Sequence, residues 1–318
     1  MDKYEISIII PTHNNEPYIG RALSSCFEQD FDKPFEVIVL CDACTDKTPE
    51  IVKEFKKEHD NLVVFEVNNK SALKNRIFGA KHSKGKYLMF LDGDDHYINN
   101  ALSLMHKTIS KNDADLVNAS FLIERKKKTS KYAFAKDSTL DRYDALKALF
   151  HDIELRGFMN CKIYKRDLFL KIDILDKLMN ISVGNMLYED LLVNFYYMLL
   201  VKKVITIKEP IYVYNKTNET SLTSKGYRRT MDNVMVRNLI RFKIEEINDD
   251  IIRKNFLKSK LRGRILLMTD IFLSKFPNKN VKRTIKAEVK HDFKNIYGKT
   301  FDVSNITYNQ LIIDYEKK

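Results

Sequence analysis

The fold of this chain is decided by one stretch of sequence, Lys84-Gly85-Lys86-Tyr87-Leu88-Met89-Phe90-Leu91-Asp92-Gly93-Asp94-Asp95. Residues 87–91 are all apolar or aromatic and carry no helix start or stop signal, a pattern typical of a buried strand. Three carboxylates follow at its end. Ligands of open α/β sheets bind outside the carboxyl ends of the strands, and carboxylates this close repel one another unless a cation lies among them. The stretch therefore suggests a divalent cation that carries substrate phosphates.

The same stretch is compatible with other kinds of site. Acidic turns after strands are common, and Asp-Gly alone signals a turn. A calcium loop that began at Asp92 would need Gly at position 6 and Glu at position 12, but Tyr97 and Ser103 stand there. A strand followed by Asp-x-Asp also opens some aspartate-dependent phosphatases. A metal–phosphate site, a phosphatase nucleophile and a solvated turn therefore all remain open at this point.

The composition indicates a protein with a hydrophobic core and a preference for anionic partners. The chain has 318 residues, of which 44% are hydrophobic, and a net charge of +12. That charge favours nucleic acid, acidic lipid headgroups or a phosphate-bearing substrate. No apolar run approaches the ~20 residues of a membrane helix. The first residues contain neither a basic lead nor a small-residue cleavage site, so we expect no secretory signal and a cytoplasmic protein.

The four cysteines are too few for a disulfide scaffold. Cys41 and Cys44 form a Cys-x-x-Cys pair, but no second pair completes a zinc site. We interpret both as small apolar residues beside a strand end, with a redox pair as the alternative.

The first third of the chain alternates between strands and helices. Apolar runs predict the strands, and helical periodicity with capping residues predicts the helices. The strands are 5–11, 35–41, 62–67 and 87–91, and the helices are 15–28, 48–58 and 71–83. This β-α-β-α-β-α-β order with short connections requires a parallel sheet covered by helices. The strand ends at Thr12, Asp42 and Asp92 should then lie along one edge of the sheet.

The rest of the chain falls into two parts that differ in predicted secondary structure and in charge. In the first part we predict strands at 114–119, 158–164, 204–207 and 211–214, and helices at 99–111, 141–150, from 166 onward and 191–201. From about residue 226, helical periodicity and basic residues dominate the segments 227–247, 250–275, 279–297 and 307–317. We therefore expect a basic helical C-terminal region.

Five short motifs occur in a fixed order along the chain: Pro11-Thr12-x-Asn14, Asp42-x-x-Thr45-Asp46, Asn75 in a helix, Asp92-x-Asp94-Asp95 and Glu189-Asp190. Together they resemble family-2 glycosyltransferases of the bacterial polysaccharide and cell-surface glycan type. The resemblance covers roughly residues 5–223 and implies the GT-A fold. This is an α/β, Rossmann-like nucleotide-binding fold whose mixed, mainly parallel sheet is flanked by helices.

The resemblance also implies a division of the chain into domains. A glycosyltransferase domain is expected over residues 1–223, with a donor-binding half at about 1–120 and an acceptor half at about 121–223. The basic helical region, residues 224–318, then lies outside the resemblance. We expect it to contact an anionic acceptor or the inner membrane face, or to form a homo-oligomer, with solvated helix faces as the alternative.

The resemblance further implies a role for each matching residue. The residues expected to bind the donor nucleotide are Pro11, Thr12, Asn14, Asp42, Lys74, Asn75, Asp92 and Gly93. Asp94 and Asp92 are the implied ligands of Mn²⁺ or Mg²⁺. Asp190 is the implied catalytic base, with Glu189 as the second choice. The positions expected near the diphosphate or the acceptor are Asp95, Lys216, Ser221 and Thr223.

Three positions depart from the family pattern, and at one of them Asn215, followed by Lys216, replaces the basic residue often seen after the late Tyr-x-Tyr. The other two lie in the first third of the chain. Asp42-Ala43-Cys44 replaces the usual Asp-Gly-Ser, and the loss of that glycine predicts a different turn geometry. Lys74 replaces the Arg that commonly precedes Asn75, and a lysine keeps the charge without the two-pronged geometry. The first change leaves the carboxylate of Asp42 in place, whereas the second weakens the case for a phosphate contact.

The implied reaction is an inverting, metal-dependent glycosyl transfer of the hexosyl or N-acetylhexosaminyl type. The donor is a nucleoside-diphosphate sugar, most often a UDP-sugar in this family. The acceptor is a hydroxyl of a cell-surface glycan, a teichoic-acid-like polymer or a lipid-linked molecule, as in polysaccharide or cell-wall biosynthesis. One displacement requires a base but no protein nucleophile, which matches the absence of a convincing Ser/His/Asp arrangement.

Two functions of other classes remain as alternatives. An Asp-dependent phosphatase would use Asp92 and Asp94, but it usually has Thr or Val soon after the second Asp, where this chain has Asp95-His96. It also leaves Asp42 and the later acidic pair unexplained. A nucleic-acid-binding protein would use the net charge, but aromatic residues are not interleaved with the basic runs, and no helix-turn-helix or RNP-like motif occurs.

Overall fold

The computed structural model of the chain comprises two compact units, Met1–Ser224 and Lys225–Lys318. The residues that it describes in the first unit are 3–126, 128–132, 135–152, 154–180 and 189–218. In the second unit they are 236, 239–240, 243–257 and 259. The functional division that we expect, into a donor half, an acceptor half and a basic helical region, stays a prediction.

The described strands of the first unit form one sheet. They are Tyr4–Thr12 (β1), Phe35–Asp42 (β2), Leu62–Val67 (β3), Gly85–Phe90 (β4), His96–Tyr97 (β5), Leu116–Arg125 (β6), Lys128–Tyr132 (β7), Ser138–Leu140 (β8), Lys162–Lys165 (β9) and Val204–Asn215 (β10). Their order is β3-β2-β1-β4-β9-β6-β10-β5, with β7 paired to β6 and β8 paired to β10. This sheet confirms the predicted mixed, mainly parallel architecture.

Helices flank this sheet. Those described in the first unit are Ile19–Phe27 (α1), Thr48–Glu58 (α2), Ala72–His82 (α3), Ala101–Asn112 (α4), Arg142–His151 (α5), Arg166–Phe169 (α6), Leu175–Asn180 (α7) and Glu189–Met198 (α8). In α1 the buried residues recur at the spacing of one helix face, and they are Ile19, Ala22, Leu23 and Cys26. The apolar periodicity of the sequence therefore correctly predicts which face of α1 packs on the sheet.

The four strands β3, β2, β1 and β4 are parallel neighbours. Ile9 of β1 pairs with Ile38 of β2 on one side and with Phe90 of β4 on the other. All three side chains are buried, which is why these strands are continuous apolar runs rather than alternating ones. Burial of each such side chain contributes roughly 1.5–3 kcal/mol. The carboxyl ends of β1, β2 and β4 consequently meet at one edge.

The other half of the sheet is mixed. Strand β9 lies antiparallel between β4 and β6, and β6 is parallel to β10. Our prediction of two strands at 204–207 and 211–214 was wrong, because one strand, β10, spans both. The apolar pattern of the sequence is interrupted at Pro210, which has no N–H to donate. The strand continues there with a register shift on both sides of the proline.

A buried polar cluster fixes the opposite edge of the sheet. Ser7 Oγ donates to Glu36 Oε1 at 2.6 Å, and the Gly85 N–H donates to Ser7 Oγ at 2.8 Å. The Lys84 N–H donates to the same Glu36 oxygen. These bonds join β1, β2 and the start of β4, and they leave no room at Gly85. A Cβ there would lie 2.5 Å from Ser7 Oγ and 2.6 Å from Ser7 N.

In the second unit, Asp250–Leu257 forms a helix (α9) in which Ile252 and Phe256 are buried. It lies within the predicted helix 250–275. The predicted helices 279–297 and 307–317 fall outside the described residues. None of the helices in the described part of the chain is both long and apolar enough to cross a membrane.

We predict that Gly85→Ala lowers the free energy of unfolding by about 1–3 kcal/mol, because the added Cβ overpacks a site lined by backbone. The matched control is Gly20→Ala in α1, where a Cβ would meet only Ile51 Cγ2 at 4.0 Å. That change should raise stability by about 0.5–1 kcal/mol through helix propensity. Urea unfolding of both variants checks the pair, and equal stabilities would contradict the packing argument.

Candidate active site

The candidate site lies where the parallel strands end. Thr12 is opposite Cys41 in the β1–β2 register, and Leu91 N donates to Ile9 O just before Asp92. Thr12, Asp42 and Asp92 therefore lie at the same edge, as predicted. The second half of the chain adds Glu189 and Asp190, the first two residues of α8.

One buried arginine joins these two groups of carboxylates. Arg76 Nη2 donates to Asp92 Oδ1 at 2.6 Å, and Arg76 Nη1 donates to Asp190 Oδ1 at 3.0 Å. Nη1 also donates to Glu189 Oε1 at 3.4 Å. The Arg76 side chain is only 6% exposed. A single guanidinium therefore holds the strand-end carboxylate and both candidate bases together.

Sequence reasoning missed Arg76, although a signal was present. Three carboxylates that meet in a protein interior require a cation. Arg76 directly follows Asn75 in α3, and neighbouring helix positions point about 100° apart. Asn75 faces Asp42, and Arg76 faces Asp92 and α8. A two-pronged guanidinium is thus present two positions after Lys74, and its prongs bind carboxylates.

The charge balance around Arg76 shifts the protonation of the site. Burial raises the pKa of Glu189 to about 8, with repulsion from Asp190 adding to the rise and Arg76 opposing it. Burial also raises the pKa of Asp190, again against the attraction of Arg76. Burial disfavours the charge on Arg76, but Asp190, Asp92 and Glu189 outweigh it and raise its pKa. The arginine therefore stays charged while the carboxylates share its charge.

The loop before β9 donates a hydrogen bond to each of two carboxylates, those of Asp190 and Asp92. Met159 N donates to Asp190 Oδ2 at 3.3 Å, and Asn160 Nδ2 donates to Asp92 Oδ2 at 2.8 Å. Asn160 Oδ1 is buried and accepts no hydrogen bond from the described residues. Neither residue was foreseen, because nothing in the local sequence distinguishes this loop. The site oxygens of Asp92 and Asp190 are thus oriented from two sides.

Asp94 and Asp95 have different surroundings. Asp95 is buried and accepts bonds from Tyr212 Oη and from Asn215 N at 2.7 Å, which ties the turn to β10. Burial raises its pKa well above the ordinary range. Asp94 Oδ2 accepts from Asn218 Nδ2 at 2.9 Å, and burial followed by repulsion from Asp92 raises its pKa. Asp95 therefore anchors the turn to β10, whereas the pKa of Asp94 stays raised although Asn218 donates a hydrogen bond to it.

The turn between these acids packs tightly against β1. A Cβ at Gly93 would lie 2.6 Å from Thr12 Oγ1 and 2.7 Å from Asn15 Nδ2. Asn15 Nδ2 itself donates to Thr12 Oγ1 at 3.1 Å. Pro11 is buried within β1, opposite Leu40. Thr12 and Gly93 thus lie side by side, and their predicted nucleotide contacts stay predictions.

Asp42 is held by the start of α3. Its oxygens accept from Lys70 N at 2.9 Å, from Ser71 N at 3.0 Å and from Asn75 Nδ2 at 2.8 Å. Asn75 Oδ1 in turn accepts from Asn69 Nδ2 at 2.8 Å. A carboxylate has about four acceptor sites, so this network leaves about one for a nucleotide base. The predicted base contact of Asp42 stays a prediction.

The turn after β2 corrects one expectation. Ala43 has φ 49°, so it adopts the left-handed conformation that a glycine at this position would favour. The loss of glycine has therefore not removed this conformation, although an alanine there costs about 1–2 kcal/mol. Asn14, also left-handed at φ 52°, accepts from Thr45 N at 2.8 Å and donates to Thr45 Oγ1 at 3.1 Å. That pair of bonds braces the turn.

Four further predicted residues remain, two of which the structure describes. Lys74 is half-buried, and its ammonium makes no hydrogen bond or ion pair with the described residues. Lys216 is exposed, with its Nζ 5.6 Å from the ring centroid of Tyr214. Ser221 and Thr223 lie outside the described residues.

Cys41 and Cys44 do not form a disulfide, and a hydrogen bond between their thiols lowers the pKa of Cys44 to about 7.

Comparison with known sequences gives related proteins. Residues 7–172 match the family described as "Glycosyl transferase family 2". Poly(ribitol-phosphate) beta-N-acetylglucosaminyltransferase TarS of Staphylococcus aureus is 41% identical over 98 residues, which are 30% of this chain and 17% of TarS. GalNAc(5)-diNAcBac-PP-undecaprenol beta-1,3-glucosyltransferase of Campylobacter jejuni is 31% identical over 152 residues, 46% of this chain and 48% of that protein. Each match spans less than half of the relative.

Solved structures show the same fold. S. aureus TarS 1-349 in complex with UDP-GlcNAc has a TM-score of 0.69 at 22% identity, covering 92% of this chain and 81% of that one. A mannosyltransferase of Pyrobaculum calidifontis in complex with GDP-Man and Mn²⁺ has a TM-score of 0.53 at 16% identity, covering 99% and 86%. The chain therefore has the GT-A fold that the sequence motifs imply.

We predict that Arg76→Met lowers the free energy of unfolding by about 3–5 kcal/mol, because it leaves buried carboxylates without their cation. Loss of the Arg76 charge should also raise the pKa of Glu189 and of Asp190 further, because Arg76 lowers both. Groups whose pKa is higher in the folded than in the unfolded chain cost stability as pH rises through that range. The melting-temperature deficit of the variant should therefore grow between pH 5 and pH 8.

Thermal unfolding at both pH values measures this deficit. Arg76→Lys keeps the charge but not the fork, and it should show a smaller deficit that changes less with pH. A deficit of Arg76→Met that is the same at pH 5 and pH 8 would show that the arginine does not balance these carboxylates.

Proposed function

The chain belongs to glycosyl transferase family 2, and on that premise we propose that it is an inverting glycosyltransferase. It moves a sugar from a UDP-sugar to a hydroxyl of a cell-surface glycan, a polyol-phosphate polymer or a lipid-linked acceptor. The single observation that carries this proposal is the bridge formed by Arg76, which joins Asp92, in the turn after β4, to Asp190, at the start of α8. A displacement with inversion requires a base opposite the departing group, so these two carboxylates must be held in one fixed arrangement.

Asp190 is the base in this proposal. Arg76 donates to its Oδ1 and Met159 donates to its Oδ2, so both oxygens are oriented while each keeps a further lone pair. The attacking hydroxyl gives its proton to Asp190 as its oxygen bonds to the sugar carbon. The raised pKa of Asp190 suits this task, because a base works best when its pKa approaches the working pH. Glu189 remains the second candidate.

A divalent cation fits the turn that carries Asp94 and Asp92. Both supply hard carboxylate oxygens, and the pKa of Asp94 is raised by burial and then by repulsion from Asp92, both of which a bound cation would offset. Among the described residues no group of three or more His, Cys, Asp or Glu side chains could hold a metal alone. Diphosphate oxygens would complete the shell of Mn²⁺ or Mg²⁺. When bound, such an ion neutralises charge that develops on the departing diphosphate.

The relatives support the choice of donor and leave the acceptor open. TarS was solved with UDP-GlcNAc, and the P. calidifontis mannosyltransferase with GDP-Man and Mn²⁺. By name, one relative acts on poly(ribitol-phosphate) and the other on an undecaprenol-linked glycan. A peripheral membrane position or a homo-oligomer through residues 224–318 remains part of the proposal.

The phosphatase alternative fits the geometry less well. Its nucleophile would be Asp92, but both oxygens of Asp92 already accept hydrogen bonds, from Arg76 and from Asn160. These two hydrogen bonds fix the direction of the Asp92 carboxylate, as is expected of a group that binds a ligand. As in Asp190, each oxygen of Asp92 keeps a further lone pair, but a phosphatase gives no role to the link from Asp92 through Arg76 to Asp190.

We predict that UDP raises the melting temperature, more with Mn²⁺ than without it, whereas GDP has a smaller effect. Ligand at 100 times its Kd adds about 2.7 kcal/mol to the stability of the folded state. Asp94→Ala should lose the part of the shift that depends on Mn²⁺, whereas the exposed control Asp176→Ala should keep it. A thermal shift assay measures both, and a protein that responds to neither nucleotide would refute the donor site.

We also predict that kcat/KM rises with pH through an apparent pKa above the ordinary aspartate range, because Asp190 must lose its proton before it can accept one. Asp190→Asn should reduce transfer about 10²- to 10⁴-fold, the usual share of a general base, and should leave UDP binding intact. Asp176→Asn serves as the exposed control. Transfer by Asp190→Asn at the wild-type rate would exclude Asp190 as the base.

A further inference from the structure

A large apolar side chain lies exposed beside the candidate base. Phe158 is 43% exposed. Among the described residues, the other exposed large apolar side chains are Leu200 and Ile251. Met159, the neighbour of Phe158, donates to Asp190 Oδ2 at 3.3 Å. The Phe158 Cα therefore lies within roughly 6 Å of that carboxylate. A single exposed apolar residue is ordinary, so its surroundings decide whether it has a role.

The backbone that carries Phe158 is clamped. Asn194 Nδ2 donates to Gly157 O at 2.9 Å and to Phe158 O at 3.1 Å. Lys162, buried beneath the loop, also donates to Phe158 O. A Cβ at Gly157 would lie 3.0 Å from Leu191 Cβ, so the loop rests directly on α8. The ring is thus presented by a fixed backbone, which reduces the ordering cost of binding.

Phe158 belongs to a row of three aromatic rings, the aromatic wall, formed with Phe121 and Tyr214. The Phe158 and Phe121 centroids are 6.0 Å apart with planes at 84°, and those of Phe121 and Tyr214 are 6.4 Å apart at 82°. Phe121 is buried and Tyr214 is half-buried. Edge-to-face pairs of this kind hold their rings in place. The buried Phe121 ring and the half-buried Tyr214 ring therefore support Phe158, which is the exposed ring of the wall.

The sheet order separates this wall from the predicted nucleotide position. Asp42 ends β2, whereas Phe121 lies in β6, and β1, β4 and β9 stand between these strands. Four strand spacings of about 4.8 Å amount to roughly 19 Å. Asp92, after β4, and the Phe158 loop, before β9, lie between these two positions. Along the edge, the nucleotide, the carboxylates and the aromatic wall therefore follow one another.

We propose that the aromatic wall is the acceptor subsite and that it binds the pyranose ring of a sugar. One face of a pyranose presents C–H groups, which pack on an exposed aromatic ring while the hydroxyl groups at the rim reach the carboxylates. An acyclic, charged polyol-phosphate would instead require cationic groups. Lys216, with its Nζ 5.6 Å from the Tyr214 ring centroid, supplies one at the far end of the wall, whereas the exposed ring beside the candidate base, Phe158, is apolar. The proposal rests on the proposed function and narrows its acceptor to a glycan with a pyranose terminus.

The test compares the wild type with Phe158→Ala, Phe158→Tyr and, as the matched exposed control, Leu200→Ala. The acceptor probes are methyl glycosides of glucose, galactose, N-acetylglucosamine and N-acetylgalactosamine, and a short ribitol-phosphate oligomer. UDP-glucose and UDP-GlcNAc serve as donors. One readout is acceptor-dependent UDP release, and the other is saturation-transfer NMR of each probe with and without UDP.

We expect at least one pyranoside to show saturation transfer at its ring protons and to accelerate UDP release. Phe158→Ala should raise the KM of that pyranoside roughly five- to tenfold, as for the loss of one aromatic contact, and leave the KM of the donor unchanged. Phe158→Tyr and Leu200→Ala should behave as the wild type does. A change in oligomeric state is not expected in any variant.

Four results would overturn the proposal. They are an unchanged pyranoside KM in Phe158→Ala, a changed donor KM in that variant, acceptance of the ribitol-phosphate oligomer alone, and no saturation transfer to any pyranoside. Failure of the proposed function would look different. In that case UDP would not bind, whereas saturation transfer to a pyranoside without UDP would still depend on Phe158.

Discussion

The site depends on one buried cation among three carboxylates. Arg76 bonds Asp92, Glu189 and Asp190, which come from a turn after β4 and from the start of α8. Without it, their mutual repulsion and burial would drive these groups to protonate or to separate. Because a guanidinium presents several N–H donors in a rigid plane, it fixes directions as well as charge. The arginine therefore sets both the geometry and the protonation of these carboxylates.

The layout of the sheet distributes the parts of the site along that edge. The parallel strands bring the turns at Thr12, Asp42 and Asp92 to one side, as any open α/β sheet does. Insertion of the antiparallel strand β9 next to β4 then places the loop that carries Met159 and Asn160 against Asp92 and Asp190. Asp92 and the loop before β9 become neighbours because two sequence-distant strands pair.

Much of this arrangement could be predicted from local patterns. Apolar runs gave the parallel strands, helical periodicity gave the buried face of α1, and acidic residues after strand ends marked the edge. The failures were of other kinds. Strand β10 continues through a proline because its neighbours on both sides hold it in place, and Ala43 keeps a left-handed turn that the surrounding bonds enforce. In both cases tertiary contacts outweigh a local preference.

The sequence by itself determined the fold family, the sheet edge and the acidic residues at it, because strand periodicity, turn residues and motif order are local properties of the chain. The tertiary structure alone decided which cation balances those acids and which loop orients them. Asn160 and the aromatic wall have no distinguishing local pattern, and the clustered acids indicate that a cation is needed without showing that it is Arg76. The reason is that the contacts of Arg76 and Asn160 join residues 16 to 114 positions apart. Such contacts are set by packing, and a single sequence does not display them.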